Sequence, residues 1–242
     1  MINKTDIFPG FLNAHQDKQF VELYSNEKFA RIYHEMILQD KLPDIDYFLS
    51  ELKDDGQILE IGSGTGRVMS RLLDAGFDIY GIEPSRQMID KMSSNQLRDR
   101  VFEVGVDDIT FAIKKLNNLK TIIIPATTIS LFSSDTLNRF LEALPDNVEI
   151  HFDYMTADFF VDMDRKVSVY HSADGEKLFY VNFIVGNKVV YNITDGNVIA
   201  FSDKYLYTYK MLSDLFSKNH INLQVTMEQK NRYQMLRGTK NV

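Results

Sequence analysis

Three glycines at alternate positions, Gly62, Gly64 and Gly66, separate the apolar run Ile58-Leu59-Glu60-Ile61 from a segment with Val68, Leu72 and Leu73 at helical spacing. A buried strand that passes through glycines into a helix is the opening unit of a doubly wound α/β domain with a parallel sheet. Without side chains the backbone can turn sharply there. Its N–H groups can face a ligand at the helix N-terminus. The spacing is G-x-G-x-G and not the G-x-G-x-x-G of the dinucleotide fingerprint, which disfavours a nicotinamide cofactor. A second apolar run, Phe77 to Ile82, ends in Glu83, where a carboxylate can accept both hydroxyls of a ribose. Pro84 then opens a helix at or near its first turn.

The remaining pattern completes such a sheet. VFEVGVDDI (101–109) reads as the third strand, TIII before Pro125 as the central fourth, and NVEIHFDYM (147–155) as the fifth. A helix lies between the fourth and fifth, with Ser134 or Asp135 as its N-cap. After residue 155 the period changes to alternation, with turn pairs at Asp174-Gly175, Gly186-Asn187 and Asp195-Gly196. This predicts an antiparallel insertion of three or four strands. The expected organisation is a helical cap over the cleft (1–54), a nucleotide-binding core (55–155), the insertion (156–208), and a helix with two strands that completes the core (209–242).

Composition narrows the function. The 242 residues carry a net charge of −7, which disfavours nucleic acid as a partner. There is no cysteine, so thiolate metal sites, disulfides and cysteine nucleophiles are excluded. The five histidines lack metal-ligand spacing, and no metal is expected. No apolar run spans a bilayer, and the first residues lack a secretory signal, so a cytoplasmic protein with no membrane partner is expected.

The segment E-I-G-S-G-T-G-R (Glu60 to Arg67), with the acid at the end of the second strand, resembles motif I and its partner acid in class I S-adenosylmethionine (SAM) methyltransferases. The layout is most similar to bacterial sugar and natural-product N-methyltransferases. The resemblance implies a seven-stranded Rossmann-like sheet, SAM as cofactor and S-adenosylhomocysteine (SAH) as product. It implies cofactor contacts at Tyr33, Glu60, Gly62, Ser63, Gly64, Arg67, Glu83, Pro84, Val106, Asp107, Pro125 and Ala126. The family's acid after the third strand has no unique counterpart here: Asp107, Asp108 or backbone around Val106 can fill its place.

Methyl transfer from a sulfonium is an in-line displacement that needs position more than a protein nucleophile. An amine acceptor must lose a proton, so a carboxylate, His or Tyr beyond the strand ends is sought. Asp153, Tyr154 and His151 are the catalytic candidates, although His151 lies inside an apolar strand, where a core histidine is the simpler reading. Thr127 and Thr128, with Tyr170 and Tyr180 of the aromatic insertion, are the substrate candidates. The expected activity is methylation of a small molecule, nitrogen favoured. Oxygen methylation, or a SAM-binding relative without methyl transfer, is the alternative. The insertion lines the pocket, pairs two subunits as a homodimer, or both.

Overall fold

The computed structural model describes residues 19–39, 42–229 and 232–241. In chain order its first elements are β1 (Gln19–Glu22), α1 (Glu27–Gln39), α2 (Asp44–Glu51), β2 (Gln57–Ile61), α3 (Arg67–Asp74), β3 (Ile79–Ile82) and α4 (Arg86–Asp90). Next come α5 (Asn95–Arg98), β4 (Val101–Phe102), α6 (Ile109–Ile113), β5 (Leu119–Ile124), α7 (Ser134–Glu142), β6 (Glu149–Met155) and α8 (Ala157–Met163). The rest are β7 (Ser168–His171), β8 (Lys177–Val185), β9 (Lys188–Thr194), β10 (Val198–Tyr205), α9 (Tyr209–Lys218), β11 (Gln224–Gln229) and β12 (Tyr233–Thr239). The described residues form two compact units: those of Leu42–Thr156 with those from Tyr207 onward, and those of 19–39 with Ala157–Leu206.

The first unit holds a seven-stranded sheet in the order β11-β12-β6-β5-β2-β3-β4. The strands from β6 to β4 pair in parallel; β12 pairs antiparallel with β6 and β11 antiparallel with β12, so β12 is the one reversed strand of this sheet. This is the Rossmann-like sheet of a class I methyltransferase. The central strands are apolar on both faces because helices cover both, and Ile58, Leu59, Ile122, Ile123, Ile150 and Phe152 are all buried. Against one face pack Tyr47 and Phe48 of α2 and Val68, Met69 and Leu72 of α3. The order of connection reverses between β2 and β5, so a crevice opens beyond their carboxyl ends.

The second unit is a five-stranded sheet in the order β1-β10-β9-β8-β7. Its hairpins turn where the glycines predict, with left-handed backbone at Gly175, Gly186 and Gly196. Helix α1 contributes Phe29 and Ile32 to a core with Leu23, Leu178, Ile193 and Ala200.

The structure corrects four expectations. Gln19–Glu22 is a strand, parallel to β10, although its apolar residues fit a helical rhythm. The expected cap falls in two parts: β1 and α1 belong to the sheet unit and α2 to the other, while residues 1–18 lie outside the described residues. The third parallel strand is only Val101–Phe102, and Val106–Asp108 form a 3-10 turn. The caps also shift by one position: Ser133 caps α7 by accepting from Thr136 N, and Ser85, not Pro84, stands at the start of α4.

Gly81 shows how this framework shapes the crevice. It pairs with Glu60 in register, and a Cβ there would stand 2.6 Å from Ser63 Oγ and 2.9 Å from Ser63 Cβ. Gly81→Ala is expected to cost about 1–3 kcal/mol in urea unfolding, the scale of an overpacked core. Adding Ser63→Gly should recover most of that loss, and equal destabilisation with and without it would refute the contact.

Candidate functional site

The turn after β2 carries Gly62, Gly64 and Gly66 at φ 70°, 55° and 81°, a region that side chains disfavour. Gly62 and Ser63 donate their N–H groups to the Ile82 carbonyl at 2.9 and 3.0 Å, tying the turn to β3. The two outer glycines also answer to packing. A Cβ on Gly62 would meet Thr128 Cγ2 at 2.8 Å, and one on Gly66 would touch Leu97 at 3.4 Å. Gly64 differs, because a Cβ there would find only the Gly62 carbonyl oxygen, at 4.0 Å. The protein leaves that side of the turn open, as close approach of a ligand requires.

Glu83 joins the turn to the next one. Its Oε2 accepts from Gly64 N and its Oε1 from Ser85 N, each at 2.9 Å. Burial pushes this carboxyl above the usual range, and the same two N–H groups oppose the rise. Each oxygen retains a further lone pair for a donor such as a ribose hydroxyl.

Beneath the turn lies a buried charge cluster. Arg67, the first residue of α3, grips Asp44 at the start of α2 with both guanidinium nitrogens, Nη1 at 3.0 Å from Oδ1 and Nη2 on Oδ2. Asp44 is fully buried. Bidentate geometry of this kind fixes α2 against α3. Glu60 accepts from Met69 N in the first turn of α3, which Gly66 cannot cap with a side chain. Its Oε2 is buried and has no hydrogen-bond partner. Burial pushes the Glu60 carboxyl well above the usual range against the pull of Arg67, and Asp44 and Glu83 add to the rise.

Asp153 belongs to the same cluster. Its carboxylate oxygens accept from Thr127 N at 3.2 and 3.1 Å, and the Tyr233 hydroxyl, 3.1 Å from Met235 Sδ, also faces it. Burial raises its pKa to about 7, helped by Asp44 and opposed by Tyr233, Thr127 and Arg67. The bond to Thr127 has a visible consequence. Ala126 and Thr127 both adopt left-handed backbone, at φ 56° and 60°, an arrangement costing roughly 1–3 kcal/mol per residue. Asp153 holds that loop at the carboxyl end of β5.

Among the candidates, then, Glu60, Gly62, Ser63, Gly64, Arg67, Glu83, Thr127, Thr128 and Asp153 gather around the ends of β2, β3, β5 and β6. Within this unit His151, Tyr154 and Asp107 are engaged elsewhere. His151 is buried with Nδ1 3.1 Å from Tyr47 Oη and Nε2 2.5 Å from Glu149 Oε1, so both ring nitrogens are spent inside the unit. Tyr154 is 1% exposed and donates to Gln234 at 2.7 Å, and burial pushes its pKa up to about 12, which suits packing and not proton transfer. Asp107 is exposed and pairs with Arg139 at 2.7 Å. Tyr33, Tyr170 and Tyr180 lie in the unit with the five-stranded sheet, where Tyr33 packs edge-on against Tyr24 and Tyr191, and the Tyr180 ring lies tilted against Tyr191. Two site residues escaped sequence reasoning. Asp44 is a lone acid opening a helix, with nothing in the chain to mark Arg67 as its partner, and Tyr233 lies in an ordinary strand. Among the described residues no group of His, Cys, Asp or Glu is arranged to hold a metal, and no helix is long and apolar enough to cross a membrane.

The raised Asp153 carboxyl makes stability depend on pH. The folded chain holds its proton between the ordinary 3.8 and about 7, where the unfolded chain has lost it. Stability from this group is therefore full at low pH and lost as pH rises through about 7. Between about pH 5 and about pH 8 the wild type should lose at least about 1 kcal/mol relative to Asp153→Asn, read from paired thermal melts. Parallel pH profiles would refute the assignment.

Known proteins share this architecture. A family model described as a methyltransferase domain matches residues 29–195. An uncharacterized methyltransferase of Bacillus subtilis, YrrT, is 32% identical over 102 residues, 39% of this chain and 46% of that protein. The chain thus spans about half the length of the curated relatives it matches, 46–47% for YrrT and a Bacillus thuringiensis counterpart. An S-adenosylmethionine-dependent methyltransferase of Clostridium acetobutylicum aligns over 89% of this chain and 98% of its own, with TM-score 0.67 and 16% identity. The sugar N-methyltransferase KedS8 of a Streptoalloteichus species aligns over 97% of this chain and 93% of its own, with TM-score 0.56 and 12% identity. With most of its length inside the family match, the chain belongs to the methyltransferase-domain family, whose cofactor is S-adenosylmethionine.

Proposed function

We propose that this protein transfers a methyl group from S-adenosylmethionine to a small-molecule acceptor, with an amine nitrogen of a sugar or natural-product intermediate favoured over a hydroxyl. The observation that carries the cofactor side is the open face of Gly64 beside Glu83. In this reading the turn Gly62-Ser63-Gly64 lies along the amino-acid end of the cofactor, Glu83 takes the ribose hydroxyls, and backbone near Val106 lies beside the adenine. The acceptor side rests on the five-stranded insertion joined to a methyltransferase core, a layout matched over nearly the whole chain by a sugar N-methyltransferase.

The protein's part in the chemistry is placement. The sulfonium supplies the reactive methyl group, and the site has to aim a free lone pair at it. Thr127 and Thr128, at the end of β5, are positioned to orient the acceptor. Asp153 acts through them: it fixes the Thr127 backbone, so its effect falls on turnover more than on cofactor affinity. A homodimer contact through the inserted sheet belongs to the same proposal.

Calorimetry with SAH, with NAD as control, tests the cofactor reading. Gly64→Val should abolish SAH binding while the protein stays folded, and Glu83→Ala should weaken it by roughly 1–3 kcal/mol. Unchanged affinity in both would sink the assignment. Acceptors are then screened by a 14-dalton mass gain (roughly one methylene in mass) with amino sugars against their hydroxyl analogues. Methylation of the hydroxyl analogues alone would replace nitrogen by oxygen.

A further inference from the structure

The cluster below the glycine turn is out of electrostatic balance. Arg67 acts on Asp44, Glu60 and Asp153 together, and its fork is already committed to Asp44. Asp153 has both oxygens within hydrogen-bond reach of Thr127 N, with the Tyr233 hydroxyl beside it. Glu60 is the odd member. One oxygen meets Met69 N, and Oε2 is buried without a donor. The groups facing it are Arg67 of α3, Asp44 of α2 and Glu83 after β3, two acids against one base. A buried carboxylate with an open oxygen and an acidic neighbourhood is costly, and it is relieved either by holding a proton or by receiving a cationic donor.

We propose that Glu60 holds a proton in the ligand-free protein and gives it up when the cofactor binds, its Oε2 then accepting from the α-ammonium of the cofactor's amino-acid end. The position supports this, since Glu60 is the penultimate residue of β2, directly before the turn with its open side at Gly64. The step balances simply. The carboxyl loses one proton to solvent, the ammonium keeps its three, and an ion-pair hydrogen bond forms between them. The inference rests on the cofactor reading above and adds to it a proton coupled to binding.

The test is titration calorimetry of the wild-type protein near pH 7 in phosphate and in Tris, which differ in ionisation enthalpy. SAH is one ligand and 5′-methylthioadenosine, which lacks the amino-acid end, is the other. SAH is expected to release about one proton, with affinity rising up to about tenfold per pH unit below neutrality. Methylthioadenosine is expected to release none. In Glu60→Gln, which keeps an acceptor for Met69 N, SAH should bind roughly 10- to 100-fold more weakly and without proton release. Equal proton release with both ligands, undiminished release in Glu60→Gln, or SAH binding with no buffer dependence would overturn the proposal. SAH that fails to bind at all would remove the cofactor reading itself, and the proposal with it. If Glu60→Gln does not fold, the contrast between the two ligands on wild-type protein decides alone.

Discussion

The backbone reversal between β2 and α3 is the constraint on which the rest of the site depends. Three left-handed residues in five positions leave N–H groups that no helix or strand ladder uses. The structure answers with Glu83, which accepts from Gly64 N and Ser85 N and so binds the first βα turn to the second. Glu60 does the same below, on the first turn of α3. Two acids thus shape the crevice from opposite sides, each by capping backbone. That makes Glu83 a structural group as well as a ligand candidate, and loss of its side chain acts on the turn as well as on any ribose.

The Arg67–Asp44 pair works in the same spirit. A buried ion pair is weak support for net stability, because desolvation offsets much of its attraction. Its value lies in geometry: a planar fork on a carboxylate admits few arrangements of α2 against α3. Removing either partner would strand the other charge among Glu60 and Asp153, which are already pushed towards neutrality. The pair is therefore a positional device whose absence would be felt by every acid around it.

Much of this was legible in the chain. The glycine turn stands out by its spacing, and β2, β3 and β5 by largely apolar runs, as strands buried on both faces must; β6 mixes His151 and Asp153 into its apolar residues. The hairpins of the insertion are marked by alternation and by glycines that take positive φ. What stayed hidden has a common physical cause, since it depends on partners distant in sequence. β1 exists because β10 offers an edge to pair with, and its four residues fit a helix as well as a strand. β4 is short because only Gly81 and Ile82 pair with it. The role of Asp44 requires Arg67, and that of Asp153 requires the backbone of Thr127. His151 shows the converse, for its residue type suggested chemistry and its neighbours Tyr47 and Glu149 spend it on packing.

Several costly features of this unit gather in one place, although Asn147 and His220 are left-handed elsewhere in it. Left-handed Ala126 and Thr127, the orphaned Glu60 oxygen, the raised Asp153 carboxyl and the open side of Gly64 all lie at the carboxyl ends of β2, β5 and β6. The strands that lead there are regular and buried. Strain and unsatisfied charge persist only where surrounding structure over-determines them, and such sites cluster where function sits. This grouping is the physical ground on which the proposed site rests. In the proposed reading, a ligand that supplies a cation to Glu60 would relieve its unpaired buried oxygen, and one that fills the open side of Gly64 could donate to Glu83 at the same time.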